Sequence, residues 1–143
     1  MKRTLDWDKY LETSARAVSG GIVMLKNDGA LPLKQGGTAA VFGRIPLHYY
    51  KSGTGSGGMV NVSKVIGITD GLLDAGYKLD EQLLNAYREW DEQNPFDYGE
   101  GWGGEPWSQK EMPLTDELVG GAASRADAAI VIIGRTAGEE MDN

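Results

Sequence analysis

The run Ala128, Ala129, Ile130, Val131, Ile132 and Ile133, cut off by Gly134, limits this chain more than any other stretch. A continuous apolar segment rich in β-branched residues reads as a strand buried on both faces, of the kind found inside parallel sheets. A polar, acidic stretch follows, with Glu139, Glu140 and Asp142 close together. In open α/β sheets ligands sit just past the carboxyl ends of strands, so these carboxylates stand where chemistry is done. The sequence stops there, which predicts a site completed by something else.

The remaining segments agree with that class. Trp7, Tyr10, Leu11, Ala15 and Val18 recur at helical spacing. Asp6 or Thr4 is placed to cap the first turn, and Gly20-Gly21 to end it. Ile22 to Leu25 reads as helix continuing, with Ala30 to Leu33 an extended tether. Thr38 to Gly43 predicts a small apolar strand. Ser63 to Ala75 predicts a helix weakened by Gly67 and Gly71. Tyr77 to Asp80 forms a second strand, and Asp80 caps a helix bearing Leu83, Leu84, Tyr87 and Trp90. Asn94-Pro95 breaks it. Thr115 caps a last helix with Leu118, Val119 and Ala122 on one side.

Strands alternating with helices give an α/β fold: a small, mainly parallel sheet with helices on both faces, joined by right-handed crossovers. At 143 residues the chain holds one domain, with 1–8 as a lead-in and 94–113 as a long irregular loop. The sheet ends without a last helix. An uncovered edge or face therefore predicts a partner chain, homo-oligomerisation or further sequence.

Composition narrows the function. A net charge of −7 with no basic cluster argues against nucleic acid. There is no cysteine, hence no disulfide and no thiolate metal site. No apolar run approaches the roughly 20 residues that cross a bilayer. The N-terminus lacks a signal-type apolar core, so no membrane association and a cytoplasmic location are expected.

Several constellations carry chemistry. Gly53, Gly55 and Gly58 match a dinucleotide fingerprint in spacing, but nine residues part them from Gly43, whereas that fingerprint needs the first turn after a strand. A flexible Gly/Ser loop is the simpler reading. Phe96, Tyr98, Trp102 and Trp107 offer flat faces for sugar rings, against which stands a plain role in covering the core. His48, the single histidine, has no nearby nucleophile and reads as loop packing. The Glu139, Glu140 and Asp142 cluster is open to three readings: a solvated chain end, a general acid at the sheet rim, or a divalent cation site, for which no second ligand cluster exists.

Residues 15–33, from Ala15 through Lys26-Asn27 to Leu31-Pro32-Leu33, resemble the opening of the α/β sandwich domain of glycoside hydrolase family 3. Ala39 to Gly43, the loop Ser52 to Gly58, and Ile133 to Asn143 are similar to further stretches of that family. The resemblance implies a retaining β-glycosidase acting on terminal β-D-glucosides or related β-glycosides such as β-xylosides, with no cofactor and no metal. An aspartate on a TIM barrel would be the nucleophile, and that barrel is absent from these residues, since its eight βα units take about 250 residues. The acid/base glutamate aligns with Glu139, with Glu140 as second choice because it stands where the family has glycine. Asn143 replaces an expected arginine. Arg135, Ser56 and Gly57 would contact substrate. The chain would be the leading, partial sandwich of a member with inverted domain order, inactive alone. A nucleotide-binding module using the Gly-rich loop and a non-catalytic sugar-binding module are the competing readings.

Overall fold

The computed structural model describes residues 4–50, 54–62 and 64–137, and the chain divides into two compact units, up to Pro32 and from Leu33 onward. The first is built on helix α1, Trp7–Gly21. Asp6 caps it by accepting the Lys9 amide at 3.1 Å. None of its residues is buried. The helix does not continue through Leu25: Ile22 is already extended, because paired glycines before it remove helix propensity. The stretch before Pro32 is also not a simple tether. The Asn27 side chain accepts from the Gly29 and Leu31 amides and donates to the Leu31 carbonyl, closing a tight turn.

The second unit is the expected α/β fold. Its elements are β1 (Thr38–Phe42), α2 (Ile68–Asp74), β2 (Lys78–Leu79), α3 (Glu81–Gln93), α4 (Asp116–Arg125) and β3 (Ala128–Val131). The three strands form one parallel sheet in the order β2-β1-β3. Because β1 leads to one neighbour and the chain then returns past it to the other, right-handed crossovers put α2 on one face and α3 with α4 on the opposite face. The β1/β3 boundary is thus the point where strand order reverses, the usual place for a site.

On the α3/α4 face, Ala40 and Phe42 pack with Leu83, Tyr87, Met112 and Ala122. Ala39 and Val41, on the other face, are buried as well. Asp80 joins the two helices of the first face. It caps α3 through the Gln82 and Leu83 amides and takes the Arg125 guanidinium from the end of α4 at 2.8 Å. Burial would raise the Asp80 pKa, but the Arg125 hydrogen bonds and the two amides outweigh it and hold the carboxyl below its ordinary value. Thr115 caps α4 through the Leu118 amide, as its position predicts.

Two expectations are corrected. The helix predicted over Ser63 to Ala75 is only seven residues long, starting at Ile68. Gly67 is extended at its N-cap and donates to Asp70 Oδ2 at 2.9 Å, which sets the helix start there, and residues 64–66 are not helical. The final strand, in turn, is not buried on both faces. Being at the sheet edge, β3 alternates between half-buried and exposed, and Val131 is 69% exposed.

Candidate functional site

Past the carboxyl ends of both strands that flank the reversal point stand glycines that admit no side chain, Gly43 directly after β1 and Gly134 three residues after β3. Gly43, after β1, has φ +108°, and a Cβ there would land on the Ile132 carbonyl oxygen. Gly134 lies against the Ile45 side chain and the Tyr50 ring. The two chain exits therefore run close together at the carboxyl rim. The last sheet bond is Ile132 N–H to the Phe42 carbonyl, 2.9 Å.

Beyond Gly43 comes Arg44, 1% exposed. Its guanidinium pairs with Asp91 of α3 and donates to the carbonyls of Asn94 and Lys110. It also lies over the Trp90 ring, 4.8 Å from the centroid, and near Phe96. Its amide donates to Glu111 Oε2 at 3.0 Å. A buried guanidinium with charge partner, carbonyl acceptors and aromatic faces is fully satisfied, so it serves as an anchor and not as a ligand group.

The next residues form a 3-10 turn, Ile45–Leu47, that presents His48. His48 Nε2 is 2.7 Å from Asp91 Oδ2 and Nδ1 is 3.0 Å from the Tyr98 hydroxyl. Its ring stacks on Phe96 at 4.4 Å between centroids. Both nitrogens are engaged, which removes His48 as a base in this arrangement. Burial would raise the Asp91 pKa, yet the hydrogen bonds from His48 and Arg44 prevail and keep its carboxyl below the ordinary range.

These residues form one wall of a recess of about 520 Å³, lined among others by His48, Tyr49, Phe96, Tyr98, Asp70 and Glu105. A second recess of about 400 Å³ shares Tyr98 and Glu105 and is bordered by Trp102. The aromatic lining with carboxylates suits a polyhydroxy ligand, whose C–H faces stack and whose hydroxyls donate. At the recess edge the Tyr50 hydroxyl is buried without a hydrogen-bond partner among the described residues. Gln109 is close, its amide oxygen accepting from the Asp97 N–H and its nitrogen donating to the Asp97 carbonyl. Burial first, and then the Glu105 carboxylate, raise the Tyr50 pKa.

The sequence-predicted residues fare unequally. Arg135 lies over the Trp107 ring at 4.9 Å and donates to the carbonyl of Gly134. Ser56 and Gly57 are exposed on a 3-10 turn, Gly55–Met59, whose Gly55 and Gly58 border the recesses. Glu139, Glu140, Asp142 and Asn143 lie outside the described residues. Trp102 and Trp107 do not cover the core, being 58% exposed each. Gly53 lies outside the described residues, and Gly55 and Gly58 stand on the 3-10 turn and open no α-helix, since α2 starts only at Ile68. Arg44, Asp91 and Tyr50 were missed, although Arg44 directly follows the strand end where sites are sought. Among the described residues no group of three potential metal ligands exists, and no helix is long and apolar enough to cross a membrane.

Residues 22–143 match the glycosyl hydrolase family 3 C-terminal domain. The chain is 63% identical over 139 residues to a β-glucosidase of Ruminococcus albus, covering 97% of this chain and 15% of that protein. It is 35% identical to β-glucosidase A of Butyrivibrio fibrisolvens, over 94% of this chain and 16% of that one. The fold superimposes on a β-glucosidase from Paenibacillus barengoltzii with a TM-score of 0.85 at 50% identity, spanning 99% of this chain and 15% of that one. β-Glucosidase 3B of Thermotoga neapolitana, in complex with glucose, gives a TM-score of 0.80 at 26% identity, over 97% of this chain and 19% of that one. The chain thus spans about 15% of the length of the relatives it matches first.

Proposed function

Because the chain belongs to glycosyl hydrolase family 3, within the family's C-terminal domain, we propose that it contributes the general acid/base to a retaining β-glucosidase. The substrate is a terminal β-D-glucoside or a related β-glycoside. The nucleophile belongs to a TIM barrel domain supplied from outside these residues. Glu139 is the acid/base, with Glu140 the second choice, and Arg135, Ser56 and Gly57 are the substrate contacts.

In the first step the nucleophilic carboxylate bonds to C1 of the sugar while the C1–O bond to the leaving group breaks and Glu139 passes its proton to that oxygen. In the second, Glu139 takes a proton from water, whose oxygen bonds to C1 and releases the nucleophile. The two carboxyl groups must stand roughly 5–5.5 Å apart. The acid must be neutral before the first step, which neighbouring carboxylates such as Glu140 and Asp142 favour by like-charge repulsion.

One observation carries this reading. β3 is parallel to β1 and adjacent to it, so the chain leaves β3 at the carboxyl rim, beside the aromatic recess, only a few residues before Glu139. An antiparallel β3 would have sent it to the opposite rim.

The test replaces the matching stretch of the Ruminococcus albus β-glucosidase with this chain and measures hydrolysis of aryl β-glucosides. Glu139→Gln should lower kcat on substrates with poor leaving groups by about 10²–10⁴-fold, the range for a lost general acid, and far less on a dinitrophenyl glucoside. Equal activity of Glu139→Gln on both would refute the assignment, and the same pattern from Glu140→Gln would transfer it. The chain by itself should show no turnover.

The exposed Trp102 and Trp107 support a second reading, as a non-catalytic sugar-binding surface. Under it, replacing both with alanine abolishes glucose binding, and Glu139→Gln is without effect.

A further inference from the structure

After Ile132 the chain has no ladder to follow, and residues 132–137 form no regular element. Thr136 fastens it by hydrogen bonds. Thr136 is 6% exposed, its N–H donates to the Trp107 carbonyl at 3.0 Å, and its hydroxyl donates to the Pro106 carbonyl at 3.0 Å. Those two carbonyls belong to the long connection between α3 and α4, which is itself held. The Gln109 side chain accepts from the Asp97 amide at 3.0 Å and donates to the Asp97 carbonyl at 2.7 Å. Arg44 takes the carbonyls of Lys110 and Asn94. The exit of β3 is therefore tied to the exit of β1 through a loop fastened to a buried guanidinium.

We propose that Thr136 is a positioning residue for the acid/base step, which rests on the reading of Glu139 above. Thr136 lies three residues before Glu139, and its two hydrogen bonds set the point from which the glutamate-bearing segment departs. A carboxyl group must meet the leaving oxygen within hydrogen-bond reach, and displacement by about 1 Å is enough to cost on the order of 10²-fold in rate.

The experiment uses the Ruminococcus albus β-glucosidase carrying this chain. Thr136→Val keeps the side-chain volume and removes the hydroxyl; Thr136→Ser keeps the hydroxyl. Thr136→Val should lower kcat roughly 10- to 100-fold on glucosides with poor leaving groups, with little loss on a dinitrophenyl glucoside and little change in KM. Thr136→Ser should restore most of the rate. An equal loss on both substrates, or a serine variant as impaired as the valine one, marks a merely structural role and overturns the proposal. Glu139→Gln measured alongside separates the two ideas. If it is crippled while Thr136→Val is normal, only the positioning role falls; if Glu139→Gln is itself normal, the acid/base reading falls.

Discussion

The amide of Gly43 donates to the Tyr87 hydroxyl at 2.8 Å. The first donor past the central strand is thereby taken by a phenol from α3, not by another strand, and the chain is free to turn into the rim at Arg44. Burial is the main reason the Tyr87 pKa is raised, so the phenol is neutral and keeps the ring packed in the core. Tyr87→Phe should cost about 1–3 kcal/mol, the penalty of orphaning a partly buried donor. Urea unfolding followed by tryptophan fluorescence reads it, and a change within error would mean that water replaces the phenol.

Arg44 and Asp91 make the ion pair on which the rim depends. Arg44→Met leaves the Asp91 carboxylate with His48 as its remaining partner and takes the donor from the Asn94 and Lys110 carbonyls. The loss should be about 3–5 kcal/mol, as for a buried pair broken on one side, and the loop from Asn94 to Glu111 should become sensitive to protease. A variant of unchanged stability with an intact loop would show that the anchor is dispensable.

Acid should undo the same contacts. Asp80 and Asp91 both have folded-state pKa values below the ordinary one. Their contribution is therefore complete above the unfolded-state value of about 3.9 and is lost as pH falls through the lower folded-state values. Stability measured against pH should drop below about pH 4, and the drop should be shallower in Asp80→Asn and Asp91→Asn, which start less stable. An unaltered slope in either variant would exclude that carboxylate as a source of the acid sensitivity.

Gly134→Ala puts a methyl group into the Ile45 side chain and 3.2 Å from the Tyr50 ring. Overpacking of this kind costs about 1–3 kcal/mol. Gly43→Ala should be worse, because its positive φ adds backbone strain to a clash with the Ile132 carbonyl. Thermal midpoints of the two variants, measured together, test both the sign and the order.

The caps show how far local reading reaches. Asp6, Asp80 and Thr115 each accept a backbone amide at the helix start the sequence indicated, because a cap involves groups only two or three residues apart. The glycine stop after β1, the parallel α/β class and the family resemblance were equally legible, as each is written in consecutive residues, whereas β3 ends at Val131, before Gly134. The sequence by itself thus determined which elements form and where most of them begin.

Tertiary structure decided the rest. Arg44 and Asp91 are 47 residues apart, and neither charge has a periodic signature that announces a partner. Whether an apolar run such as Ile130 to Ile133 is buried depends on its place in the sheet, and in the order β2-β1-β3 it stands at the edge. The Thr136 clamp likewise exists only because a loop about 30 residues earlier in the chain is brought back to the rim. Short-range hydrogen bonds and spacing are encoded by neighbours along the chain, whereas burial and ion pairing belong to groups that only the closed fold brings together.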